Sequence, residues 1–108
     1  MTVLELCKAA DLKILSLPNP DREVCGAYIG DLLSWVMGRA KEDNAWLTIM
    51  SNINVIAVAS LADVSCVILC EGVSLDDETT ATAKEKGINI LLSKENSYQT
   101  AVKISGMV

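Results

Sequence analysis

Gly26-Ala27-Tyr28-Ile29-Gly30-Asp31-Leu32-Leu33-Ser34 decides how this chain is parsed. Two glycines four positions apart, then a polar residue and an apolar run, spell a loop that feeds a helix. Val24-Cys25-Gly26 just before it reads as a brief strand. Asp31 stands where a carboxylate caps a helix carrying Leu32, Leu33, Trp35, Val36 and Met37. Gly38, or the charged run Arg39-Ala40-Lys41-Glu42, ends that helix.

Upstream, Thr2-Val3-Leu4-Glu5 has the form of a capping box. Val3, Leu6, Cys7 and Ala10 then share one face of a helix over residues 3–10. Leu12 to Leu17 is a short apolar strand, broken by Pro18-Asn19-Pro20-Asp21. Downstream, Ala45 to Met50 is a strand, Ser51-Asn52 a turn, and Ile53 to Ala62 a helix whose small Ala57, Ala59 and Ala62 allow close packing on a sheet. Val64 to Cys70 is continuously apolar, as a central parallel strand is. After Glu71-Gly72, Ser74-Leu75-Asp76-Asp77 opens another helix as a second capping box, and Gly87 stops it behind Lys84 and Lys86. Ile88 to Leu92 is the last strand, and Ser97 to Ser105 the last helix, with Tyr98, Ala101 and Val102 inward. Strand alternating with helix predicts an α/β fold. The expectation is one three-layer α/β/α domain over residues 1–108, with a mainly parallel sheet of about five strands.

Composition narrows the function. Apolar residues make up 51% of the chain and aromatics only 4%, so the core is built from Val, Ile, Leu and Ala. The formal net charge is −5 and no Lys/Arg stripe is present, which argues against nucleic acid and against an acidic membrane surface. The apolar run from Ile53 to Cys70 contains Asn54, Ser60, Asp63 and Ser65 and is better parsed as helix, turn and strand than as a membrane span. The start of the chain lacks the basic and apolar regions of a signal peptide. Cys7, Cys25, Cys66 and Cys70 form no C-x-x-C pair, and there is no His, so common zinc sites other than all-cysteine or cysteine–carboxylate ones are excluded. A reduced, cytoplasmic protein without metal or cofactor is expected.

In open parallel sheets ligands sit outside the carboxyl ends of the strands, beside a topological switch point. The residues this rule selects are Gly26, Gly30 and Asp31 in one turn, Ser51, Asn52 and Asn54 in the next, and Glu71 and Gly72 in a third. The turn from Ser93 to Asn96 stands at the same end. Polar, glycine-bearing turns also follow from turn geometry alone. Of Ser51, Asn52 and Asn54, capping needs only one, so turn-making and ligand contact both remain open there. Neither G-x-G-x-x-G nor a phosphate loop is present. Without His, no Ser–His or Cys–His pair can be assembled, so no catalytic residue is assigned and an enzyme is not expected.

The stretch from Gly26 to Met37, with Trp46-Leu47-Thr48-Ile49 and Asn54 to Leu61, resembles the DRTGG domain family. Asp21-Arg22 is present, whereas Cys25-Gly26-Ala27 stands where relatives often have Thr-Gly-Gly, and Asn52 where many have His. The resemblance implies a fold similar to the N-terminal domain of HPr kinase without its catalytic domain. It also implies a family that accompanies CBS domains in regulated pyrophosphatases.

The leading expectation is a non-catalytic regulatory module binding a small molecule, such as a nucleotide, or a partner protein, at the strand carboxyl ends. A homodimer is expected too, since Trp35, Met37 and Met50 are placed to leave apolar surface uncovered, although ordinary core would also explain them. The alternative is a purely structural interaction or dimerisation subunit without a ligand pocket. A thiol-based redox or metal module is a third reading.

Overall fold

In the computed structural model, which describes all 108 residues, Met1–Val108, the alternation of strand and helix resolves into one five-stranded sheet. The elements are α1 (Val3–Ala9), β1 (Lys13–Ser16), β2 (Ala27–Ile29), α2 (Leu33–Arg39), β3 (Ala45–Thr48), α3 (Asn54–Ala62), β4 (Cys66–Leu69), α4 (Asp77–Glu85), β5 (Ile90–Leu92) and α5 (Ser97–Ile104). Across the sheet the order is β1-β5-β4-β3-β2. β2 to β5 run parallel, and β1 joins β5 antiparallel.

Side-chain alternation along the buried strands divides the core into two layers. Trp46, Val67, Leu69 and Ile90 face α2, α3 and α4 through Val36, Val55, Ala59 and Ala83. Ala45, Leu47, Cys66, Ile68 and Leu91 face α1 and α5 through Val3, Leu6 and Ile104. All three crossover helices thus lie on one face and both outer helices on the other. The three-layer α/β/α expectation holds, with every residue of β3 and β4 buried.

Several local expectations are corrected. The strand in the deciding stretch is Ala27–Ile29, within it, rather than Val24–Gly26 before it. Gly26 has φ +72°, in the left-handed region that favours glycine, so the chain turns there before it enters the sheet. Val24 and Glu23 instead tie back to the N-terminus, through Val24 N–H to Met1 O at 2.9 Å and a bridge between Glu23 and Thr2. The α4 cap is Asp76, whose carboxylate accepts from Thr79 N at 2.7 Å, and not Ser74. On α5 Ala101 packs against the core as expected, but the buried residues are Thr100 and Ile104, while Tyr98 and Val102 face solvent. The cause is polar: Thr100 Oγ1 pairs with buried Ser93 Oγ at 2.7 Å, and that bond sets the rotation of the helix. The α1 capping box forms as expected, Glu5 N to Thr2 Oγ1 at 3.2 Å and Thr2 N to Glu5 Oε1 at 2.9 Å.

At the amino ends of the parallel strands, side-chain amides and hydroxyls stitch the loops together. Asn44 Nδ2 donates to Cys25 O at 2.8 Å, and Ser65 Oγ donates to Asn44 O at 3.0 Å. Asn89 Nδ2 donates to both Ser65 O and Asn19 O. Arg22 closes this end. Its Nη2 donates to Asp63 O at 2.6 Å, Asp63 Oδ1 at 2.8 Å and Asp43 Oδ1 at 3.0 Å. Asp43 and Asp63 both hold left-handed backbone, φ 67° and 55°, so Arg22 clamps two strained turns. Replacing Arg22 with Ala is expected to cost about 1–2 kcal/mol in chemical denaturation. Lys should recover only part of it, because an ammonium cannot fork between two carboxylates.

Candidate functional site

The loops that leave β2, β3, β4 and β5 gather at the opposite end of the sheet. Because β1 is antiparallel, its start, Asp11-Leu12-Lys13, arrives there too. The exits of β2 and β3 are closed against each other. Asp31 is not a helix cap: α2 begins behind Leu32 with no side-chain cap bond. Asp31 Oδ1 instead accepts from Thr48 Oγ1 at 2.8 Å and from Ile49 N at 3.0 Å. Gly30 O accepts from the indole Nε1 of Trp46 at 2.9 Å. A Cβ on Gly30 would lie 2.8 Å from the Tyr28 ring, so a side chain there would require the ring to shift.

In the next turn Asn52 Oδ1 accepts from Asn54 N at 2.9 Å, folding the chain into α3, while Ser51 and Asn54 are exposed. Glu71 and Gly72 follow β4 with successive left-handed φ values of 65° and 71°. Glu71 N donates to Glu95 O at 2.8 Å and Gly72 N to Ser93 O at 3.1 Å, tying the exit of β4 to that of β5.

From there the chains part. The loop after β4 leads to α4 on one face, and the loop after β5 leads to α5 on the other. The loops after β2 and β3 lead to the same face as α4, so divergence between neighbouring parallel strands occurs only here. Two adjoining clefts open at this place, of about 270 Å³ and about 260 Å³. Both are lined by Asp11, Lys13, Ser93 and Lys94. Gly72, Ser74 and Leu92 complete the first, and Leu12, Glu95 and Lys103 the second. Lys103 Nζ is held by Glu95 Oε1 at 2.6 Å and by Ala10 O at 3.3 Å. Lys13 and Lys94 take part in none of the four ion pairs of the protein.

The residues singled out by sequence are therefore spread. Gly72 lines a cleft and Glu71 is its neighbour. Gly30, Asp31, Ser51, Asn52 and Asn54 stand at the same end of the sheet but line none of the five clefts on the surface. Gly26 lies at the other end, where it lines a separate cleft with Arg39 and Lys41. Lys13, Lys94 and Lys103 were not legible as a group. Lys13 and Lys103 are far apart in sequence, and only the antiparallel pairing of β1 with β5 brings them together.

No group of three or more Cys, Asp or Glu side chains is gathered for a metal ion. All four cysteines are free, and Cys7, Cys66 and Cys70 are buried. Burial pushes the Cys66 thiol up to about 12 and raises those of Cys7 and Cys70 as well. Cys25 is exposed. In the folded protein a maleimide is expected to label Cys25 alone by mass spectrometry, with the other three reacting only after denaturation.

The chain is thus a three-layer α/β/α domain with two adjoining clefts where the exits of β4 and β5 diverge. The model of the DRTGG domain family matches residues 30–107, and the chain belongs to that family. Among solved structures it is similar to the CBS and DRTGG domains of the regulatory region of Clostridium perfringens pyrophosphatase, complexed with the activator diadenosine tetraphosphate. The TM-score is 0.75 at 12% identity, over 95% of this chain and 45% of that one. The likeness shows a shared fold, and this chain spans less than half the length of that neighbour. No curated protein matches it in sequence. No helix is long and apolar enough to cross a membrane.

Proposed function

We propose that this chain is a non-catalytic regulatory module, working in the cytoplasm, that binds a phosphate-bearing small molecule of nucleotide type at the strand carboxyl ends. One observation carries the reading. Where the exits of β4 and β5 diverge, two contiguous clefts are flanked by Lys13 and Lys94, which have no ion-pair partner in a chain of net charge −5. Polar and charged groups at such a divergence are the usual means by which an open parallel sheet holds a ligand.

Each cleft alone is smaller than the roughly 300 Å³ of a small-ligand pocket, so the pair is read as one site. Lys13, Lys94 and Lys103 meet phosphate oxygens as point charges. Gly72, with open space where a Cβ would stand, lets a ligand approach the backbone. Asp11, on the shared wall, repels a phosphate and can accept from a sugar hydroxyl, which favours a nucleotide over inorganic polyphosphate. The neighbour's regulatory region takes a dinucleoside polyphosphate activator, which is consistent with this class.

The second reading, a dimerisation or protein-interaction subunit without a pocket, is favoured by the exposure of Leu32, Trp35 and Met37 on and before α2. Thermal denaturation with a panel of mono-, di- and dinucleoside phosphates separates the two. A ligand that binds only the folded state raises the melting temperature. At least one member is expected to do so, less at high salt. Lys13→Glu and Lys94→Glu, both at exposed positions, should each abolish the shift without lowering the melting temperature of the free protein. A panel that moves nothing overturns the ligand reading and leaves the structural one.

A further inference from the structure

The outer side of β2 is bare. Gly26 O accepts from Ala45 N at 3.0 Å and Gly30 N donates to Leu47 O at 3.1 Å, so residues 26, 28 and 30 face β3. Ala27 and Ile29 therefore turn their N–H and C=O groups away from the sheet, and neither enters any turn, loop or cap hydrogen bond. The opposite edge is guarded. β1 carries exposed Lys13, a register shift between Ile14 and Ser16, and Pro18 just beyond its end. Charge, bulge and proline are the devices that keep a sheet edge from pairing. Ala27-Tyr28-Ile29 has none of them; Ile29 is itself 50% exposed, and Leu32, just beyond the end of the strand, is 57% exposed.

We infer that the β2 edge pairs with β2 of a second copy of this chain, antiparallel about a two-fold axis at Tyr28. In that register Ala27 stands opposite Ile29 of the second copy, and the outward groups of both residues are satisfied four times over. The two five-stranded sheets become one continuous sheet. Charge favours this occupant and this direction. The cleft at the start of β2 is lined by Arg39 and Lys41 with no acidic residue, whereas Asp31 follows the end of the strand. A two-fold axis reverses β2, so the acidic end of each copy meets the basic end of the other; a parallel mate would bring like ends together. Three residues of strand are too few to hold a dimer, and the exposed side chains of Ile29 and Leu32 add apolar area along the same edge. The inference is independent of the ligand site, which lies by β1 and β5 at the far side of the sheet.

Sedimentation velocity from low micromolar to near millimolar concentration tests it. The wild-type chain is expected to sediment at twice the monomer mass. Ile29→Pro removes an outward N–H without touching the β3 ladder, a position where an edge strand tolerates proline. Ala27→Lys adds the charge that edges use for protection. Each is expected to weaken dimerisation by about tenfold or more, with unchanged far-ultraviolet circular dichroism. Leu61→Lys, exposed on α3, should leave the dimer intact. A wild-type chain monomeric throughout, or a dimer that survives folded Ala27→Lys, overturns the inference. Should Ile29→Pro fail to fold, Ala27→Lys decides.

Discussion

The indole N–H of Trp46 has one partner, and much of the structure follows from that. Trp46 is the largest fully buried side chain, set among Val, Ile and Ala of the α2–α4 layer. A buried donor left unpaired costs about 1–3 kcal/mol, so a backbone acceptor must be brought to it. Gly30 O meets it at 2.9 Å, and that fixes the exit of β2 over β3. With the exit fixed, the Tyr28 ring occupies the space a Gly30 side chain would need, and Asp31 falls within reach of Thr48 and Ile49. The stretch from Gly26 to Asp31 is thus the fastening of an edge strand.

The two ends of the sheet then divide the work. At the amino ends Asn19, Asn44, Ser65, Asn89 and Arg22 spend their side chains on neighbouring loops, and no buried side-chain polar atom in the protein lacks a partner. Groups so occupied hold shape and have little left to offer a ligand. At the carboxyl ends Lys13 and Lys94 are uncommitted. Arg39 and Lys41, which line the cleft beside Gly26, are in no ion pair either, so what sets the carboxyl end apart is the divergence of the β4 and β5 exits.

Hydrophobic period gave the order and type of the elements because β3, β4 and the helix faces are buried uniformly, and burial is what the period records. It failed where polar pairing took over. The Ser93–Thr100 bond turned α5 away from Tyr98 and Val102, and the left-handed Gly26 moved β2 into the middle of what reads as a loop. Asp31 looked like a cap because capping is a local rule, and its partners lie across a strand. The sequence rule selects the carboxyl end of the sheet for a ligand, but it does not single out the place along that end where neighbouring exits diverge. Which pair of neighbouring loops diverges depends on the face α5 chooses, and one helix's sequence does not contain that.

The antiparallel strand β1 is what makes the two edges unlike each other. By running against β5 it delivers Asp11 and Lys13 to the carboxyl end, so one addition both guards that edge with a lysine and supplies a charge to the cleft. Its neighbour α1 is joined to α5 through Lys103 and Ala10 O, so an anion held by Lys13, Lys94 and Lys103, as proposed, would pull on β1, the β5 exit and both outer helices together. β2 sits at the other margin, beneath the crossover layer, and touches none of those groups. A ligand in the proposed cleft and a second copy on β2 would therefore act at opposite margins of one sheet. Communication between them has to pass through the buried pair β3 and β4, which is continuous with both.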